Sequence, residues 1–348
     1  MHDAIMYAAW ACAWAGEVVT LAGWAKLLAT RKTSSELPRF SVVVCFHNEA
    51  AVAERCLKAL ALLRYPDFEF VLVDDRSTDG TTELLKTWTE NRANAKYVRL
   101  DEAGFSPKKN ALLAGAAAAD GEWLALTDAD CAPPPDWLHA LARAVRPGKP
   151  VVVGYSPYVA GKGLLGFFIR RETEKTALEY LGRTALGWSY MAVGRNMAVR
   201  RQTLLEDGYY GHRHLLSGSD DLLVRRHAAA PCLEGHVPTL APAAFDHWWN
   251  QKTRHVSASE GYSLATQAAL FLFHAGRFGL WYAALAAGRW EGLAVLWALQ
   301  TLLYIVTKKF LSLRPNILFL AFFDSLLIIY QTTVVPAGRL RRPIWKKI

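Results

Sequence analysis

At 348 residues the chain is long enough for one large domain or two modest ones, each with a sizeable core. Apolar residues make up 52% of it, 13 of them Trp, and the formal net charge is +9. No basic run with interleaved aromatics accompanies that charge, which argues against a nucleic-acid partner; Lys and Arg gather instead beside apolar blocks, where attraction to anionic lipid is the simpler account.

In chain order, residues 4–29 form a nearly unbroken apolar stretch interrupted by Glu17 and Lys26, long enough to cross a bilayer. The start Met1-His2-Asp3 lacks the basic residues of a secretory signal, so residues 1–30 are expected to be a retained membrane anchor. Residues 31–262 are expected to form the soluble domain. Strand and helix alternate there: strand 41–46, helix 50–63, strand 68–73, helix 81–88, strand 97–100, helix 108–119 and strand 123–126. That alternation predicts an α/β, doubly wound sheet. A helix over 136–145 and a strand over 151–155 follow. Residues 163–181 are amphipathic and read equally as a core helix or a membrane-facing one.

Residues 263–348 turn apolar again in blocks near 264–287, 292–307 and 315–336, ending in a basic tail. Arg31, Lys32, Lys308, Lys309 and Arg314 flank the apolar segments and place those ends, and the soluble domain, on the cytoplasmic side of a multi-pass inner-membrane protein. If all three blocks cross, the basic tail ends outside, against the positive-inside tendency. One block is therefore expected not to cross: 264–278, where His274 and Arg277 interrupt the pattern as in an interfacial helix, or else the last block, which bears Asp324. The five cysteines form no C-x-x-C pair and have no His at ligand spacing, so they read as reduced core residues.

The chemistry concentrates at strand ends. Asp128-Ala129-Asp130 directly follows a buried-strand run, which delivers two carboxylates to the strand's carboxyl end, where ligands sit in open α/β sheets. Two acids so close repel unless a positive charge lies between them, and hard oxygen ligands suit Mg²⁺ or Mn²⁺ carrying a substrate's phosphates. The first strand ends in His47-Asn48-Glu49, the second in Asp74-Asp75-Arg76-Ser77-Thr78-Asp79. Ser77 or Asp79 reads as a helix cap. Asp74 and Asp75 are left to receive donors such as a nucleobase imide and ribose hydroxyls. Lys108 and Lys109 open the third helix, where an N-terminal dipole favours phosphate; which of the two lies near it stays open.

The run from Val71 through Asp74-Asp75 to Thr81, followed by Leu126-Thr127-Asp128-Ala129-Asp130, resembles a family 2 glycosyltransferase of GT-A fold, over roughly residues 38–260. The resemblance implies a Rossmann-like mixed sheet, a nucleotide-sugar donor, usually a UDP-sugar, a divalent metal, and transfer with inversion. It implies that Asp75 accepts from the base, that Asp74 is structural or near the nucleoside, and that Asp128 sits by ribose and metal with Asp130 as direct ligand. Ser219-Asp220-Asp221 falls where relatives carry an acidic pair that supplies the general base, with the register open between Asp220 and Asp221. Gln251-Lys252-Thr253-Arg254-His255 resembles the Q-x-x-R-W segment, with His255 in place of Trp; Gln251 and Arg254 would help hold the diphosphate and His255 would lie on the acceptor side. Gly194-Arg195-Asn196-Met197-Ala198 resembles the G-x-N-x-A segment beside the acceptor, pointing to Arg195 and Asn196.

The expected activity is transfer of one sugar to a lipid or polyprenyl-linked acceptor. The alternatives are a processive polysaccharide synthase, for which the C-terminal spans are few, and a non-catalytic nucleotide-binding scaffold. A haloacid-dehalogenase-like phosphatase is argued against because the first strand ends without the Asp nucleophile it requires.

Overall fold

The computed structural model describes residues 2–30, 33–102, 104, 106–159, 161–311 and 317–340. Arg31, Lys32, Arg314, the side chain of Arg339 and residues 341–347 of the basic tail lie outside the described residues. The chain opens with α1 (His2–Ala29). Strands and helices then alternate: β1 (Phe40–Phe46), α2 (Ala50–Leu60), β2 (Phe68–Asp75), α3 (Thr81–Glu90), β3 (Ala95–Leu100), α4 (Pro107–Ala118), β4 (Trp123–Asp128) and α5 (Trp137–Ala144). Next come β5 (Val151–Val153), β6 (Tyr158–Val159), α6 (Gly163–Leu186), β7 (Met197–Arg200), α7 (Arg201–Asp207), α8 (Asp221–Arg226), β8 (Ala229–Pro231), β9 (Thr239–Leu240) and α9 (Phe245–Ser257). Three long helices follow, α10 (Leu264–Ala287), α11 (Glu291–Leu311) and α12 (Ile317–Leu340).

These elements form two compact units. One comprises Arg31–Gly161 and Ser189–Pro242; the other comprises Met1–Thr30, Lys162–Trp188 and Ala243–Ile348. The units are not contiguous in sequence: α6 and α9 fall inside the 31–262 stretch yet group with the apolar helices.

The first unit is built on a seven-stranded sheet in the order β3-β2-β1-β4-β7-β5-β8. β1, β2 and β4 are buried on both faces, which is why their sequences read as unbroken apolar runs rather than alternating ones. Phe40, Val42, Phe70, Leu72, Trp123 and Trp137 lie in one core cluster. The parallel register sets Cys45 opposite Asp128 and Phe46 opposite Asp74, so the acids of β2 and β4 emerge level, on either side of β1. Helix α4 lies hard against the sheet at Gly115, where a Cβ would come within 2.5 Å of a Val43 methyl; that contact fixes the helix start that carries Lys108. β7 inserts antiparallel between β4 and β5 and makes the sheet mixed. Helix α8 stops at Arg226, three residues before β8 begins at Ala229.

In the other unit α1 and α10 run antiparallel along small residues: Gly16 meets Phe273, Gly276 meets Ala9 and Ala13, and Gly279 meets Ala9. Helix α6 crosses α1 at Gly23 and Gly182, and the Trp24 indole donates to the Leu178 carbonyl at 2.9 Å. Its Leu164, by contrast, is exposed. Four helical stretches, Asp3–Ala29, Leu264–Ala287, Glu291–Leu311 and Leu320–Gly338, are long and apolar enough to cross a membrane. Residues 264–278 are the first part of one continuous helix, and Arg277 is buried against Glu17 (2.6 Å) and Asp324 (3.0 Å). The charge that suggested an interfacial helix therefore points into the unit, paired, rather than out to headgroups.

Candidate active site

The carboxyl edge of β2-β1-β4 is a stitched wall of loops. The ring Nδ1 of His47 lies 2.5 Å from the Asp75 carbonyl. Asn48, in the left-handed region at φ 53°, donates its N–H to Ser77 Oγ at 3.1 Å and accepts from the Thr78 N–H at 2.8 Å. The Glu49 N–H donates to Thr81 Oγ1 at 2.9 Å. Asp79 accepts from the N–H groups of Ala50 (3.0 Å) and Thr81 (3.1 Å), which is the capping role expected of it. His47, Asn48 and Glu49 thus place the loop that walls the site.

The two acids at the end of β2 separate. Asp74 has no exposed surface and accepts from the Ser77 N–H (2.9 Å), Thr82 Oγ1 (2.6 Å), Tyr97 hydroxyl (2.9 Å) and Arg99 guanidinium (2.8 Å). Burial alone would raise its pKa, but the hydrogen bonds outweigh burial and hold it below the usual carboxylate range. With four donors in place its carboxylate ties β2 to β3 and α3, the structural one of its two expected roles rather than a donor contact. Asp75 is 3% exposed and accepts from Arg76 Nε at 2.8 Å. Arg76, at φ 57°, is a site residue that sequence reasoning quoted inside the motif but gave no role.

The lysines at the start of α4 also separate. Lys108 forms an ion pair with Asp128. Burial would lower its pKa, but the Asp128 charge more than offsets this and keeps it above its ordinary value. Lys109, 1% exposed, turns the other way and donates to the carbonyls of His212 (2.7 Å) and Leu215 (2.6 Å). Burial pushes its pKa down to about 8. Of the two, Lys108 is the one beside the acids; Lys109, expected as a donor contact, is corrected to a tether for residues 212–215.

Asp130 is half-buried; its carboxylate receives the Cys131 thiol at 3.3 Å and its carbonyl accepts from Arg55 at 2.9 Å. Arg195 is held by Ser156 Oγ and the Tyr158 hydroxyl, each at 3.0 Å, and stacked 4.7 Å from the Tyr158 ring centre. Burial works against its charge, but Tyr158, Cys131, Asp128 and Asp130 together more than offset that. Ser156 and Tyr158 carry no pattern in the sequence that would have flagged them. Asn196 has no exposed surface: it accepts from the Trp137 indole (2.8 Å) and donates to the carbonyls of Tyr155 (2.8 Å) and Gly235 (3.0 Å). Its expected acceptor role is thereby corrected, since an amide with these three partners knits the core and presents nothing to a substrate.

At the start of α8, Asp220 and Asp221 stand in different surroundings. Asp221 is 8% exposed and accepts the Ala192 N–H at 3.1 Å, anchoring the preceding loop. Asp220 stays half-exposed, with Oδ2 taking the Gly194 N–H at 2.7 Å and Oδ1 the Asp221 N–H at 3.1 Å. Its charge acts on Lys108, Lys109 and Tyr209, so it belongs to the same cluster as the acids of β4. A Cβ on Gly194 would lie 3.2 Å from Asp220 Oδ2, which is how glycine admits that approach. Gln251, Arg254 and His255 lie on α9 in the other unit, and their assignment rests on the Q-x-x-R pattern.

Among the described residues no three His, Cys, Asp or Glu side chains converge as a metal cage. Asp128 and Asp130 alone are too few hard ligands for a resident ion. They fit an Mg²⁺ or Mn²⁺ whose remaining positions are filled by a diphosphate and water.

A family model described as glycosyl transferase family 2 matches residues 41–208 of this mixed α/β sheet protein, a stretch that carries Asp75, Lys108, Asp128, Asp130 and Arg195; Asp220 lies beyond the match. Residues 41–208 belong to that family. The probable glycosyltransferase YdaM of Bacillus subtilis is 27% identical over 269 residues, 72% of this chain and 63% of the relative. A beta-monoglucosyldiacylglycerol synthase of Nostoc is 27% identical over 202 residues, 57% of this chain and 43% of the relative. Each match spans less than two thirds of the relative's own length. Among solved structures, the mannosyltransferase PcManGT from Pyrobaculum calidifontis, in complex with GDP-Man and Mn2+, covers 95% of this chain and 99% of its own, with a TM-score of 0.58 at 18% identity. That likeness shows the fold alone, which is GT-A.

Proposed function

We propose that the chain is an inverting glycosyltransferase that moves one sugar from a nucleotide-sugar, a UDP-sugar in the first instance, to a membrane-associated lipid or polyprenyl-linked acceptor. The observation that carries this reading is the meeting of Lys108, Asp128 and Asp220 in one cluster at the sheet edge of a family 2 domain. Asp75, its carboxylate already oriented by Arg76, accepts from the nucleobase. Lys108 and the N-terminus of α4 face the diphosphate. Asp128 and Asp130 would hold a divalent cation, which when bound neutralises charge on the departing diphosphate. Asp220 takes the proton of the attacking acceptor hydroxyl, and its two backbone N–H donors, one to each oxygen, hold the carboxylate in place. Attack from the side opposite the leaving group inverts the anomeric centre.

Four apolar helices and a relative named for a diacylglycerol glycolipid support a lipid acceptor. The Mn2+ in the PcManGT complex supports cation use, and its GDP-Man keeps a guanosine donor within the test. The experiment is a panel of UDP- and GDP-sugars assayed for nucleotide release in native membranes, with and without EDTA, the glycosylated product being identified by mass spectrometry. One added sugar per acceptor, abolished by EDTA, is expected. A polymer ladder would establish the processive alternative, nucleotide binding without release would establish a scaffold, and full activity in EDTA would remove the cation.

A further inference from the structure

The basic groups near the acids of the site differ in mobility. Arg195 is tethered by Ser156 and Tyr158 and stacked on an aromatic ring. Arg76 is the immediate neighbour of the Asp75 it binds. Lys108 reaches Asp128 across the sheet edge on a four-carbon stem from the first turn of α4, its side chain 26% exposed. A lysine is a compact point charge on a flexible arm and changes partner without loss of geometry, unlike a guanidinium fork.

The local charge also matters. Lys108 and Arg195 face Asp128, Asp130 and Asp220, whose charge also acts on Lys108, so these five groups carry a formal charge of −1. A divalent ion arriving alone adds two positive charges beside an ammonium that already occupies an Asp128 oxygen. A sugar-nucleotide's diphosphate brings two negative charges, and its phosphate oxygens offer Lys108 a new partner beside the start of α4. Ion and diphosphate together leave the cluster's charge unchanged; either alone does not.

We propose that Lys108 holds the place of the divalent cation on Asp128, and that a nucleotide diphosphate draws it away, so that cation binding waits for nucleotide. This rests on Asp128 and Asp130 being the cation-holding residues. The coupling is reciprocal: whatever factor nucleotide adds to cation affinity, the cation adds to nucleotide affinity.

The test is titration of the full chain in detergent micelles with Mn²⁺, followed by the electron paramagnetic resonance signal of the free ion, with and without UDP or GDP. For wild type, nucleotide is expected to tighten Mn²⁺ binding by about tenfold or more. Lys108→Met is expected to bind Mn²⁺ without nucleotide about tenfold tighter than wild type does, and the gain from nucleotide is expected to shrink. Lys108→Gln repeats the measurement if methionine unfolds the chain. Lys108→Arg, which keeps a cation on Asp128, is expected to show no gain in Mn²⁺ affinity without nucleotide. The proposal is overturned if removing the charge leaves Mn²⁺ affinity unchanged while wild type still binds Mn²⁺ with nucleotide, or if Lys108→Arg gains as much as Lys108→Met. If wild type binds no Mn²⁺ with either nucleotide, the cation reading itself falls.

Discussion

Asp220 and Asp221 differ by one position and by their surroundings. Asp220→Asn is expected to lower turnover by about 10²–10⁴-fold, the usual worth of a general base, with nucleotide binding retained. Asp221→Asn is expected to act on stability instead, by about 1–3 kcal/mol, because it weakens a buried acceptor of a backbone N–H. Turnover and thermal melting measured on both variants separate the two roles; equal losses of turnover would refute the assignment. Lys109 gives a pH signature. Its folded pKa, about 8, lies below the ordinary lysine value, so between about pH 8 and 10.5 the unfolded chain binds the extra proton and stability contributed at this site rises with pH. Below pH 8 the penalty for the buried charge is present in full. Wild type should gain on the order of 1–3 kcal/mol relative to Lys109→Met across that window, read from melting curves; a constant difference would mean that the ammonium is not desolvated. Asp75, Asp128 and the Asp220/Asp221 pair were legible in the sequence because strand ends and a helix start position them locally. The fate of Asp74, Lys109 and Asn196 was not, because burial by Tyr97, Leu215 and Trp137 involves partners 23 to 106 residues away.

At the scale of elements, β1 to β4 and the helices between them stand within a few residues of their expected bounds, because apolar runs and capping residues mark them. β7 was missed: four residues that pair antiparallel with β4 carry too short a pattern to announce a strand. The α1–α6 crossing is a contact that only glycine allows. A Cβ at Gly23 would sit 2.0 Å from the Gly182 carbonyl oxygen. Gly23→Leu should therefore part the helices and destabilise the unit by at least about 1–3 kcal/mol, measured as a lowered melting temperature in detergent. A variant as stable as wild type would show that the crossing does not hold the two helices together.

At the scale of the molecule, apolar helices at both ends of the chain group with α6 and α9 in one unit, while the acids at the strand ends lie in the other. The four long apolar helices predict that the whole chain stays in the membrane pellet after an alkaline carbonate wash. Release into the supernatant would show that these helices bury their apolar faces in protein rather than lipid.

The sequence by itself determined the α/β alternation, the acids at strand ends and the apolar segments, since each follows from residues near one another in the chain. Tertiary structure alone decided which acids remain available. Asp74 and Asp221 are consumed by buried donors, Asp128 is held by Lys108 and Asp220 keeps a face toward the cluster. The physical reason is that a carboxylate's role depends on its desolvation and on which donors reach it, and those donors come from strands and loops that only the folded sheet brings together.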